Sequence, residues 1–137
     1  MADQFICERS AVPHIIADYS ANLEERLDMT GFCEHLRLAA TEIEALPLPG
    51  IRVRALRAEH FAIADGNPDH GYIDISVRLR EGRPDDVKND IAQHLFEAAR
   101  SFVAPYMAEH PLALSLEVRD IDAALAPKTG TIREHLT

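Results

Sequence analysis

Two parts of this chain, about 60 residues apart, run through the same order of patterns, and that repetition limits the fold more than any single motif does. The first part reads PHIIADY (13–19), an amphipathic stretch over 28–46, then GIRVRAL (50–56). The second reads GYIDISVRLR (71–80), an amphipathic stretch after EGRPDD (81–86), then LALSLEV (112–118). The flanking stretches alternate with period two, as half-buried strands do. Ile51, Val53 and Ala55 oppose Arg52 and Arg54; Ile73, Ile75, Val77 and Leu79 oppose Tyr72, Asp74, Ser76, Arg78 and Arg80. The middle stretches have helical spacing. Met29, Phe32, Cys33, Leu36, Ala40, Ile43 and Leu46 form one stripe, with Asp28 as N-cap and PLPG (47–50) as the stop. Val87, Ile91, Leu95, Ala98, Phe102 and Tyr106 form the other. Pro84 suits the first helical position, Asp85 and Asp86 the positive end of the dipole, and Pro105 a bend or close.

Strand, helix, strand, twice over, is a pair of right-handed β-α-β crossovers, each with two parallel strands. The expected class is α+β: a four-stranded mixed sheet with two helices on one face. The other face carries Arg52, Arg54, Arg78 and Arg80; it is too polar for a core and is expected to pack against other subunits. The organisation is an extension (1–12), a domain (13–120, in units 13–66 and 70–120) and a tail (121–137) lying along the surface or on a neighbouring chain. ADGNPDHG (64–71) is a turn between the units and lacks the spacing of a phosphate loop.

At 137 residues the chain is one domain, able to bury roughly 68% of its unfolded surface. Its formal net charge of −9 argues against a nucleic-acid partner. No apolar run is long enough to span a membrane, and the N-terminus lacks the apolar core of a secretory signal. A cytoplasmic protein with reduced Cys7 and Cys33 is expected. The histidines at 14, 35, 60, 70, 94, 110 and 135 lack the spacing of converging zinc ligands, so they read as scattered surface residues and no metal site is expected.

LREGRPDDVKNDIAQHLFEAARSFVAP (79–105) resembles the strand, turn and helix of the 4-oxalocrotonate tautomerase family. PHIIADYSANLEE (13–25), GIRVRALRAEHFAIADGNPD (50–69) and PLALSLEV (111–118) resemble the longer, duplicated 5-carboxymethyl-2-hydroxymuconate isomerase family of the same superfamily. The resemblance runs from residue 13 to about 120 and implies the tautomerase fold. It also implies a homotrimer and a cofactor-free isomerase that moves a proton within an anionic, unsaturated keto acid in homoprotocatechuate (4-hydroxyphenylacetate) degradation. The family's base is an amino-terminal proline, which matches Pro13; its binding arginines match Arg52 and Arg83. By residue type alone, Arg52 serves equally well in an inter-subunit ion pair, and Arg83 as a solvated side chain beside a helix start. Arg54, Arg78 and Arg80 are assigned to interface ion pairs.

The chemistry needs a terminal proline. Inside a chain the proline nitrogen is an amide with a delocalised lone pair; at a chain's end it is a secondary amine, whose pKa neighbouring cations and burial both lower. Twelve residues precede Pro13, which leaves three explanations open. Translation starts at Val12, and removal of the resulting Met exposes the proline; or a protease trims the extension; or the extension is retained and activity is lost or changed. The family-like pattern begins at Pro13 itself, which favours the first. The competing functions are a tautomerase with a different substrate and a non-catalytic trimeric binding module.

Overall fold

A computed structural model describes residues 13–137; the extension and Cys7 lie outside the described residues. The element order is β1 (His14–Ser20), α1 (Met29–Thr41), β2 (Arg52–Ala58), β3 (Gly71–Arg80), α2 (Asp85–Met107) and β4 (Leu112–Ile121), with short 3-10 turns between and after them. The sheet order is β2-β1-β3-β4. Strands β1 and β2 are parallel, as are β3 and β4, and the antiparallel pair β1–β3 joins the two units. The expected duplicated α+β architecture is the one observed.

Alternation along the strands sorts the sheet's two faces. Ile15, Ala17 and Tyr19 from β1 and Ile73, Ile75, Val77 and Leu79 from β3 are buried together with Phe32, Leu36 and Ala40 from α1 and Ile91, Leu95, Ala99 and Val103 from α2. Phe32 is fully buried and meets Phe102 edge-on, with ring centroids 5.4 Å apart and planes at 71°. The helices therefore cover one face, and the opposite face of the sheet is open.

Several boundaries differ from the sequence reading. The first strand begins at His14 rather than at Pro13, although the Pro13 carbonyl still accepts the Arg52 N–H at 3.2 Å. Helix α1 ends at Thr41, not Leu46, because the backbone tightens: Ile43 N–H donates to Ala40 O and Leu46 N–H to Ile43 O, both at 3.1 Å. These i→i−3 bonds carry the chain through 42–46 and still bury Leu46. Pro84 is the N-cap of α2 rather than its first helical residue. Helix α2 continues two residues past Pro105, so that proline neither breaks nor ends it; its missing N–H falls in the last turn. The buried line of α2 runs through Ala99 and Val103, with Ala98 and Phe102 beside it. Asp28 is the N-cap expected, accepting the Gly31 N–H at 2.9 Å.

Two glycines are held by geometry. Gly82 in the EGR turn has φ +107°, a conformation that other residues adopt at a cost. At Gly71 a Cβ would stand 2.8 Å from Leu23 Cδ2, so the start of β3 can approach the β1–α1 connection only without a side chain.

Because Phe32 is the largest fully buried side chain, Phe32→Ala should lower stability by about 3–5 kcal/mol. The check is the urea midpoint at constant m-value; a loss under about 1 kcal/mol would mean that the helix–sheet core is not the main support.

Candidate active site

The strand register assembles the site. His14 lies opposite Arg52 on β2 and opposite Arg78 on β3, and Arg78 lies opposite Arg119 on β4. Arg52, His14, Arg78 and Arg119 thus form one row across all four strands on the open face. Like charges directly opposite one another, as Arg78 and Arg119 are, destabilise a sheet; His14 stands between Arg78 and Arg52. Arg54 adds to the row, with Nη1 3.5 Å from His14 Nδ1.

Pro13 directly precedes His14, a member of this row, and is itself fully buried. Because β1 and β3 are antiparallel, the start of β1 lies beside the end of β3, next to the EGR turn. That turn is tied down by all three of its residues. Glu81 Oε1 accepts the Ala123 N–H at 3.0 Å, and Gly82 supplies the positive φ. Arg83 donates from Nη1 to Arg80 O (3.0 Å) and from Nη2 to Ala45 O (3.1 Å). Arg83 is therefore neither a solvated helix-start residue nor an ion-pair partner; it bridges the turn to the segment after α1. Partial burial and the nearby Arg80 push its pKa down.

Elsewhere arginines find local carboxylates. Arg26 pairs with Asp69, Arg37 with Glu34, Arg57 with Glu24 and Glu59, Arg100 with Glu97, and Arg119 with Glu117. Among the described residues, no ion pair engages Arg52, Arg54, Arg78, Arg80 or Arg83, and the buried Arg80 Nε has no hydrogen-bond partner. The open face changes sign along the strands: Asp18 and Asp74 oppose each other further on, accepting from Tyr72 Oη and Ser115 Oγ, each at 2.7 Å. Burial and the bond to Asp18 push the Tyr72 hydroxyl up to about 12.

The sequence reading of scattered surface histidines holds for His60, His94 and His135, which are exposed, whereas His14, His35, His70 and His110 are partly buried. His14 is half-buried in the cationic row, His35 packs against Phe102, His70 bonds Asp65, His94 bonds Glu42, and His110 stacks on Tyr106. Among the described residues no three His, Cys, Asp or Glu side chains converge as metal ligands, and no helix is long and apolar enough to cross a membrane. Sequence reasoning missed His14 and Arg119 because only register puts them in one row with Arg52. Arg78 belongs to that row too and has no ion pair within the described chain.

A model of the 5-carboxymethyl-2-hydroxymuconate isomerase family matches residues 13–136. The chain belongs to that family. It is 30% identical over 123 residues to the 5-carboxymethyl-2-hydroxymuconate Delta-isomerase of Escherichia coli, across 88% of this chain and 96% of that one. A solved 5-carboxymethyl-2-hydroxymuconate delta-isomerase superposes with a TM-score of 0.86 at 27% identity, covering 92% of this chain and 93% of the other. The isomerase from Deinococcus radiodurans R1 gives 0.85 at 26%, covering 95% and 97%. A fused 4-OT symmetric trimer shares the fold at a TM-score of 0.60 and 16% identity, covering 85% and 93%. Family membership makes this protein an isomerase with the tautomerase fold.

Burial first, then the charges of Arg52, Arg78, Arg54 and Lys128, lower the His14 pKa from 6.5. An NMR titration of its ring should give a midpoint below 6.5, moving upward in Arg78→Gln. Since the unfolded state then binds more protons, His14 should cost stability as pH falls below 6.5 towards that lower midpoint. A wild-type midpoint at or above 6.5 would contradict the cationic environment.

Proposed function

We propose that the protein isomerises 5-carboxymethyl-2-hydroxymuconate without a cofactor, in homoprotocatechuate breakdown in the cytoplasm. In this reading Pro13 is an amino-terminal general base, and Arg52 and Arg83 bind substrate. The observation that carries it is where the family match begins: on residue 13, the proline itself. A cation-rich end of the sheet, where Arg52, Arg54 and Arg78 have no ion pair among the described residues, supports the same reading.

The reaction asks for one base that moves one proton. The substrate's 2-hydroxyl O–H breaks, C2 becomes a carbonyl, and the double bonds at C2–C3 and C4–C5 give way to one at C3–C4. The proton returns to carbon at C5. Between these events the dienolate holds negative charge, and the substrate brings three carboxylates. A neutral secondary amine takes the proton; the surrounding arginines lower its pKa from an α-amino value of about 7.7–8.0 towards working pH. Arginine forks bind carboxylates through paired hydrogen bonds and never lose charge. Arg83 spends two of its five N–H donors on carbonyls, which fixes the guanidinium while leaving donors for substrate.

The open polar face, with a cationic band at one end and a carboxylate pair further along, suits packing between copies. A homotrimer is the assembly we assign to it, in keeping with the trimeric relative of the same fold.

The test compares a chain beginning at Pro13 with the chain beginning at Met1, each N-terminus verified by mass, following dienol absorbance. The short form should turn over substrate and the long form should not; equal activity with residues 1–12 in place would rule out the terminal-amine mechanism. In the short form, Arg52→Ala and Arg83→Ala should each lower kcat/KM roughly ten- to a hundred-fold, for the loss of a charged hydrogen bond worth about 1.5–3 kcal/mol. Wild-type rates in both variants would mean that substrate binds elsewhere.

A further inference from the structure

Beside the far end of the cationic row lies a cavity of about 420 Å³, lined by Arg78, Arg119 and Asp120 from the sheet and by Asp122, Leu125 and Ala126 at the start of the tail. Its carboxylates are already engaged. Asp120 Oδ2 accepts from Lys88 Nζ at 3.3 Å, and Asp122 Oδ1 accepts the Ala124 N–H at 3.0 Å, capping the 3-10 turn Ala123–Leu125. Arg119 holds only an exposed pair with Glu117 at 3.3 Å, of a kind that contributes little. Arg78 has no ion pair among the described residues, yet lies next to His14 in the strand register. The cavity therefore offers cationic groups on a row that runs back to the residue after Pro13. The tail is held over this end by the Ala123 N–H to Glu81, a residue of the same turn that carries Arg83.

We propose that this cavity is a carboxylate subsite, in which Arg78 and Arg119 receive the carboxymethyl arm and the tail turn Asp122–Ala126 forms its wall. The inference rests on the isomerase reading above and deepens it. Pro13, Arg52 and Arg83 handle the hydroxyl, the conjugated chain and its carboxylates, while the arm reaches along the row towards β4. The tail thus determines specificity: it selects substrates that carry a third carboxylate against simple dicarboxylic dienols. Leu125, 80% exposed on this rim, offers apolar surface to the arm's methylene.

Two readouts separate this proposal from the reading it rests on. In the form that turns substrate over, the ratio of kcat/KM for 5-carboxymethyl-2-hydroxymuconate to that for 2-hydroxymuconate, which lacks the arm, should fall about tenfold or more in Arg78→Gln. It should fall further in the Arg78→Gln, Arg119→Gln double variant. Separately, calorimetric titration should show wild type binding tricarballylate at least about tenfold more tightly than glutarate, with the preference lost in Arg78→Gln. The titration requires no turnover, so a wild type that is inactive yet prefers tricarballylate would overturn the isomerase reading and leave the subsite standing. The subsite itself is overturned by a kcat/KM ratio within twofold of wild type, by equal binding of the two acids, or by sedimentation showing that Arg78→Gln dissociates the assembly. That last result would assign the row to contacts between copies.

Discussion

Everything in this molecule hangs on the antiparallel pairing of β1 with β3. Among the described residues it is the only junction in the sheet that joins the two β-α-β units; the other two pairings lie within a unit. Its register sets Ile15 against Val77, Ala17 against Ile75 and Tyr19 against Ile73, all buried beneath the two helices. A slip of one residue would turn all of these outward. The same register carries His14 to Arg78 and the start of β1 to the end of β3. Core and site are therefore fixed by one set of hydrogen bonds, with inward residues stabilising the fold and outward ones collecting charge.

That collected charge reconciles the chain's net charge of −9 with the anionic substrate proposed for it. Acidic residues dominate the total, but several are spent on local pairs with Arg26, Arg37, Arg57 and Arg100. At the Pro13 end of the sheet Arg52, Arg54, Arg78 and Arg80 have no such partners among the described residues, and Arg119 holds only an exposed pair with Glu117. A local cluster beside low-dielectric walls sets the potential of a cleft whatever the net charge. The tail adds Lys128 to the charges that act on His14. Opposed like charges are a liability in an isolated chain, one that the polycarboxylate proposed as substrate would offset.

The fold was legible because its period-two and helical patterns are strong and repeated: residues 71–80 were read as a strand and are one, from Gly71 to Arg80. Ends were less legible where short-range bonding changes character, as in the i→i−3 turns after Thr41. Of the candidate site, alternation alone put Arg52, Arg54, Arg78 and Arg80 on one sheet face, while the roles proposed for Pro13, Arg52 and Arg83 come from the resemblance to the family. His14 and Arg119 could not be read from either, because a cross-strand row depends on register between strands far apart in sequence. Nor does a sequence reveal that Arg83 spends two donors on Arg80 O and Ala45 O, since neither acceptor is a side chain.

The account's central claim is that Pro13 acts as a free amine, and the most direct measurement is the intact mass and N-terminal sequence of the protein purified from its own host. The account predicts a chain whose first residue is Pro13, with an unmodified secondary amine. Active protein from that host that retains residues 1–12 would contradict it, because an amide nitrogen has no lone pair to give.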